Sequence, residues 1–181
     1  MSHTPTLQSL VDDAIAYAPT LCMAVMDETQ EQLKSRAQHH ILFAAWSKLR
    51  GRFAQDLESC LLPSLQAVRR GIDPLQRSAP LSLDSLSLVD EAQALQDVAI
   101  AHVVTAVEDL SKAELHQLGN FFAALRGIAK PLKNDNPLRP ALFADALNRA
   151  VQGVDLDAEG RYALVRVAAQ PLAQALQLLY R

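Results

Sequence analysis

Leu42, Trp46, Leu49, Phe53, Leu57 and Leu61 recur at steps of three and four, which places them on one face of a helix. The same spacing returns along most of the chain. It runs through Leu7, Leu10, Val11, Ala14, Ile15 and Ala18, and again through Leu95, Val98, Ala99, His102, Val103, Ala106 and Leu110. Leu115, Leu118, Phe122, Leu125 and Ile128 follow, then Phe143, Leu147 and Val151, then Tyr162, Val165, Ala168, Leu172, Leu176 and Leu179. Aromatics make up only 5% of the residues, so Leu, Ala and Val supply the apolar mass. Leu and Ala lose little side-chain freedom in a helix. The expected fold is therefore all-α, an irregular multi-helix bundle of about six to seven helices.

Punctuation sets the expected boundaries. Pro19 predicts a kink or a new helix, Pro63 a kink or an end, and Gly71 a stop after Arg69 and Arg70. Gly51 costs the Leu42–Leu61 stripe about 1 kcal/mol relative to Ala. Residues 72–86 carry Pro74, Pro80 and several serines, and they read as an extended arm laid across helices. Overlapping its end, Leu81 to Leu88 alternates as a strand would, with a short edge strand as the alternative. Asp90 with Gln93, and Ser111 with Glu114, have capping-box spacing, and Asp157 is placed to cap the last helix. The short turn at Ser111 predicts an antiparallel hairpin. Gly153 is a natural stop, and Pro171 predicts a kink.

At 181 residues a single domain over 1–181 is expected, with a possible subdivision into helical parts at 1–71 and 87–181. A chain this long can bury about 70% of its unfolded surface. The periodicity is still strong at Tyr180-Arg181, with no capping residue, so the chain is either a fragment of a longer protein or its last helix docks fully.

Charge and motif narrow the function. Seventeen basic and 20 acidic side chains leave a net charge of −3, which disfavours phosphate-neutralising nucleic-acid binding. No apolar run approaches the roughly 20 residues that cross a bilayer, and Met1 to Gln8 lacks signal-peptide character. Cys22 and Cys60 stand apart, as free thiols would in a reducing compartment, so the expected location is cytoplasmic. His39 and His40 diverge by about 100° on a helix, and neither HxxxH nor HExxH is present. His102 falls in an apolar stripe and reads as a core histidine. GxSxG and Gly-rich phosphate loops are absent, and Glu58 near Cys60 would raise a thiol pKa. The carboxylate pairs Asp12-Asp13, Asp90-Glu91 and Glu108-Asp109, and the cations Lys48, Arg50, Arg52, Arg69 and Arg70, read as solvated faces or helix-start charges. No catalytic residue, metal ligand or cofactor is expected.

Three motifs in the second half carry a resemblance: Leu86-Ser87-Leu88-Val89-Asp90-Glu91, then Asn136-Pro137-Leu138-Arg139-Pro140 followed by Leu142 and Phe143, then Leu178-Leu179-Tyr180. Residues 80–181 resemble the bacterial domain of unknown function 1631 family, sometimes labelled thymidine-phosphorylase-like; the first 70 residues match only as generic helix. Members are typically much longer, and some carry a PilZ-type domain that binds cyclic di-GMP. The RxxxR and D/NxSxxG signals of that domain are missing here, so cyclic di-GMP binding is not carried over, and the phosphorylase label finds no phosphate loop.

The expected function is a helical interaction or scaffold module, regulatory in character, that docks a protein partner or itself. The alternative is a small-molecule or nucleotide-binding regulatory module. The candidate interaction surface is the polar, Pro-stiffened connector with Lys130, Lys133, Asn136 and Arg139, together with Leu176 and Tyr180 on the last helix.

Overall fold

A computed structural model describes residues 6–35, 39–49, 51–76, 91–129 and 136–181. Among them are seven helices: α1 Leu7–Ser35, α2 His40–Leu49, α3 Phe53–Arg69, α4 Glu91–Leu110, α5 Lys112–Leu125, α6 Pro140–Gln152 and α7 Ala158–Tyr180. The described residues contain no strand. The Leu81–Leu88 alternation and most of the expected arm, residues 77–86, lie outside the described residues.

Five of the helices, α1, α3, α5, α6 and α7, begin or end for a visible local reason. At the head of α1, the Ser9 backbone N–H donates to Thr6 Oγ1 at 3.1 Å, and Thr6 N–H donates to Ser9 Oγ at 2.8 Å. Two backbone donors are thus satisfied reciprocally. Asp157 caps α7 by accepting from the Gly160 backbone N–H at 2.7 Å. Pro140 opens α6, where its missing N–H costs nothing. Gly71 and Gly127 adopt positive φ, 77° and 66°. At Gly71 the Ile72 N–H reaches back to Ala67 O and the Gly71 N–H to Val68 O; at Gly127 the pairs are Ile128 to Ala123 and Gly127 to Ala124. These paired bonds end α3 and α5 as Schellman motifs.

Pro19, Pro63 and Pro171 do not divide their helices; α1, α3 and α7 continue through them. Each proline removes one intrahelical bond, and apolar burial on either side of it outweighs that loss. The Leu42–Leu61 stripe, by contrast, is not one helix. It breaks in a turn at Gly51-Arg52, yet its two largest side chains still meet, Trp46 and Phe53 with ring centroids 4.7 Å apart. Ser111 makes no side-chain cap on α5, and its buried hydroxyl has no partner. His102 is exposed on α4, not in the core.

Five helices form a closed ring in the order α1, α3, α6, α4, α7 and back to α1, each packed on its neighbours, with α6 and α7 also touching across the middle. One continuous core contains residues of α1, α2, α3, α4, α6 and α7, so helices before residue 71 and after residue 91 share it. α6 is the most enclosed, burying Leu142, Phe143, Ala144, Ala146, Leu147, Asn148, Ala150 and Val151. α2 lies against α1 and α7. α5 does not form a tight hairpin with α4: it touches α4 and α7 lightly, and its buried pair, Phe122 and Ala123, lies outside the main core. Where α4 gives way to α5, Gln177 Nε2 donates to Leu110 O at 3.0 Å and to Glu114 Oε1 at 3.3 Å, which ties that corner to α7.

Among the described helices, α1 is long and apolar enough to cross a membrane by length and composition alone. Its stripe of Val11, Ala14, Ala18, Leu21, Cys22, Val25 and Leu33 is spent on the protein core instead.

Candidate functional site

The Asn-Pro-Leu-Arg-Pro connector is a buttress from Asn136 onward. Asn136 Oδ1 accepts from the Leu138 backbone N–H at 2.9 Å, closing an Asx turn that starts the approach to α6. Asn136, Pro137, Leu138 and Pro140 are all buried. The Leu138 carbonyl accepts from the Tyr180 hydroxyl at 2.9 Å, and the Tyr180 ring meets Phe143 edge-on with centroids 6.5 Å apart. Arg139 Nη2 donates to both oxygens of Asp73, at 2.7 and 2.8 Å, with only 13% of the Arg139 side chain exposed. Burial acts to raise the Asp73 carboxyl. The Leu75 backbone N–H, with the hydrogen bond and charge of Arg139, overcomes it and holds the group below its ordinary value. Burial pushes the Tyr180 hydroxyl well above its usual value, so it stays a neutral donor.

Most of the surface expected from sequence is therefore interior. Asn136, Leu176 and Tyr180 are buried, and Arg139 is committed to Asp73. Their polar atoms serve the chain itself, because a connector threaded beneath a helix must satisfy its backbone internally. Lys130 and Lys133 lie outside the described residues.

The other chemistry-bearing groups are also structural. Burial, with the nearby charge of Glu58 and of Cys60, raises the Cys22 thiol to about 12, so it is an unreactive core residue. Cys60 is raised as well, chiefly by burial, with Arg149 opposing and Asp56 and Asp145 adding to it. Among the described residues no group of three or more His, Cys, Asp or Glu could hold a metal ion. Two of the cations read as a solvated face are paired there: Arg52 with Asp56 at 3.0 Å, and Arg69 with Asp12 at 2.6 Å. Arg50 lies outside the described residues. Arg149 bridges α6 to α3 through Ser64 Oγ and the Cys60 carbonyl, each at 2.9 Å.

Among the described residues, two concavities bear on function. One, between α4, α6 and α7, has a volume of only about 30 Å³, the room of a single water. Three side-chain amides beside it donate head to tail: Gln96 to Gln152 at 3.5 Å, Gln152 to Asn148 at 3.3 Å, and Asn148 to Gln96 at 3.4 Å.

The other is a groove of about 350 Å³ between α1 and α3, lined by Pro19, Met23, Met26, Gly51, Ala54, Gln55 and Glu58. Met23 is 49% exposed, although its neighbour Cys22 is fully buried. A Cβ on Gly51 would meet nothing within 4 Å, so that end is open. Sequence reasoning missed this groove. The available signal was Gly51 itself, a costly residue inside an apolar stripe, but only the fold brings α1 alongside it.

A model described as "Protein of unknown function (DUF1631) N-terminal domain" matches residues 7–181. The match takes in residues 7–70, which the motifs alone do not mark. No curated protein and no solved structure matches the chain.

Proposed function

The chain belongs to the DUF1631 family through its N-terminal domain, and from that starting point we propose that it is a helical interaction module, regulatory or scaffolding in role, that docks a protein partner. The observation that carries this reading is the α1–α3 groove, which combines a half-exposed methionine, a second methionine and an open glycine end. Methionine side chains adapt to varied apolar partners, and grooves between helices suit a docked helix. The two unpaired thiols support a reducing, cytoplasmic setting.

The groove is large enough for a small molecule, but an anionic nucleotide fits it poorly. Its described lining offers a carboxylate, Glu58, and no cation. A thermal-shift screen of nucleotides should accordingly give no large stabilisation.

Photo-crosslinking in cells from a benzophenone side chain placed at Met23 tests the reading. A discrete protein adduct is expected there and not from the same group at exposed Ala101 on α4. Identical adduct patterns from both positions would sink it.

A further inference from the structure

We infer that the α1–α3 groove receives a basic amphipathic helix of the partner protein. This deepens the proposed function and rests on it.

The groove wall has two chemistries. Pro19, Met23, Met26 and Ala54 supply an apolar floor, and Glu58 supplies a negative edge. Asp27 follows Met23 by four residues along α1, which places it on the same side of the helix, and it is exposed. Among the described residues, neither Asp27 nor Glu58 has a cationic partner in any ion pair or hydrogen bond. Arg52 stands beside the open end, but its guanidinium is tied to Asp56, which cancels its charge locally. Among the described residues the edge is therefore carboxylate without an ion-pair partner, beside a methionine floor. A helix with leucines on one side and lysines or arginines flanking them complements both at once.

Fluorescence anisotropy with two synthetic helical peptides tests the inference. One is built of leucine and lysine with the leucines on one face, and the other replaces every lysine with glutamate. The full chain should bind the lysine peptide at least about tenfold tighter than the glutamate peptide, and more weakly as salt rises. The double variant Asp27→Lys, Glu58→Lys should weaken the lysine peptide by about tenfold or more. Gly51→Trp, at an open position with ordinary φ, should abolish binding while leaving the helical circular dichroism unchanged.

Equal affinity for the two peptides, or lysine-peptide binding that survives Gly51→Trp, overturns the inference. If the glutamate peptide binds better and Gly51→Trp blocks it, the partner's charge is wrong but the docking function stands. Failure of both peptides alongside a discrete Met23 crosslink has the same meaning. Failure of both peptides with no crosslink removes the inference and the proposed function together.

Discussion

Tyr180 uses both ends of one side chain: its ring packs on Phe143, and its hydroxyl satisfies the Leu138 carbonyl. Tyr180→Phe keeps the packing and strands the carbonyl, so it should cost about 1 to 2 kcal/mol in urea unfolding. Asp73 also clamps the same connector, through Arg139. A carboxyl held low in the fold contributes stability that is present above its unfolded value and lost as pH falls through its folded value. The Asp73 contribution should therefore be full at neutral pH and fade below its ordinary value of 3.8. Unfolding midpoints measured between pH 5 and pH 2, about two units to the acid side of that value, should fall less steeply in Asp73→Asn than in the wild type. At neutral pH Arg139→Ala should lose about 2 kcal/mol, since it leaves a half-buried carboxylate unpaired. A thiol reagent should label Cys22 only after denaturant is added, because burial keeps it protonated.

Elements were legible wherever the sequence carried its own punctuation. Gly71, Gly153 and Asp157 ended or began helices where their chemistry indicated. Replacing Asp157 with Ala should cost about 1 kcal/mol of stability, read from thermal unfolding. The prolines misled because local propensity cannot weigh tertiary burial. Pro171 sits between Ala169 and Leu172, all three buried, and that packing keeps α7 going. The Trp46–Phe53 stripe shows the opposite failure. Periodicity identified which side chains are buried, but the same residues can meet across a turn, and spacing alone does not distinguish that from one helix. Part of the candidate surface lies in the interior for a related reason. Asn, Pro and Arg in a connector suggest exposure, yet those groups can also close an Asx turn and an ion pair inside the fold, as Asn136 and Arg139 do.

For the whole molecule, the closed ring of α1, α3, α6, α4 and α7 around one core implies a single cooperative unfolding transition. α5 should be the exception, since its buried residues stand outside that core. Native-state hydrogen exchange should show α5 amides opening well before those of α6 and α7. Such ring closure had no signature in the sequence, because the order in which helices meet depends on their relative rotation and not on any one helix's pattern. The amide triangle of Gln96, Gln152 and Asn148 fixes one such rotation, that of α4 against α6. Each amide gives a hydrogen to the next, so the triangle has a sense of circulation. Turning one amide over would set two NH2 groups facing on one side and two oxygens on the other. The three can reverse only as a set, which couples their side-chain motions although none carries a charge.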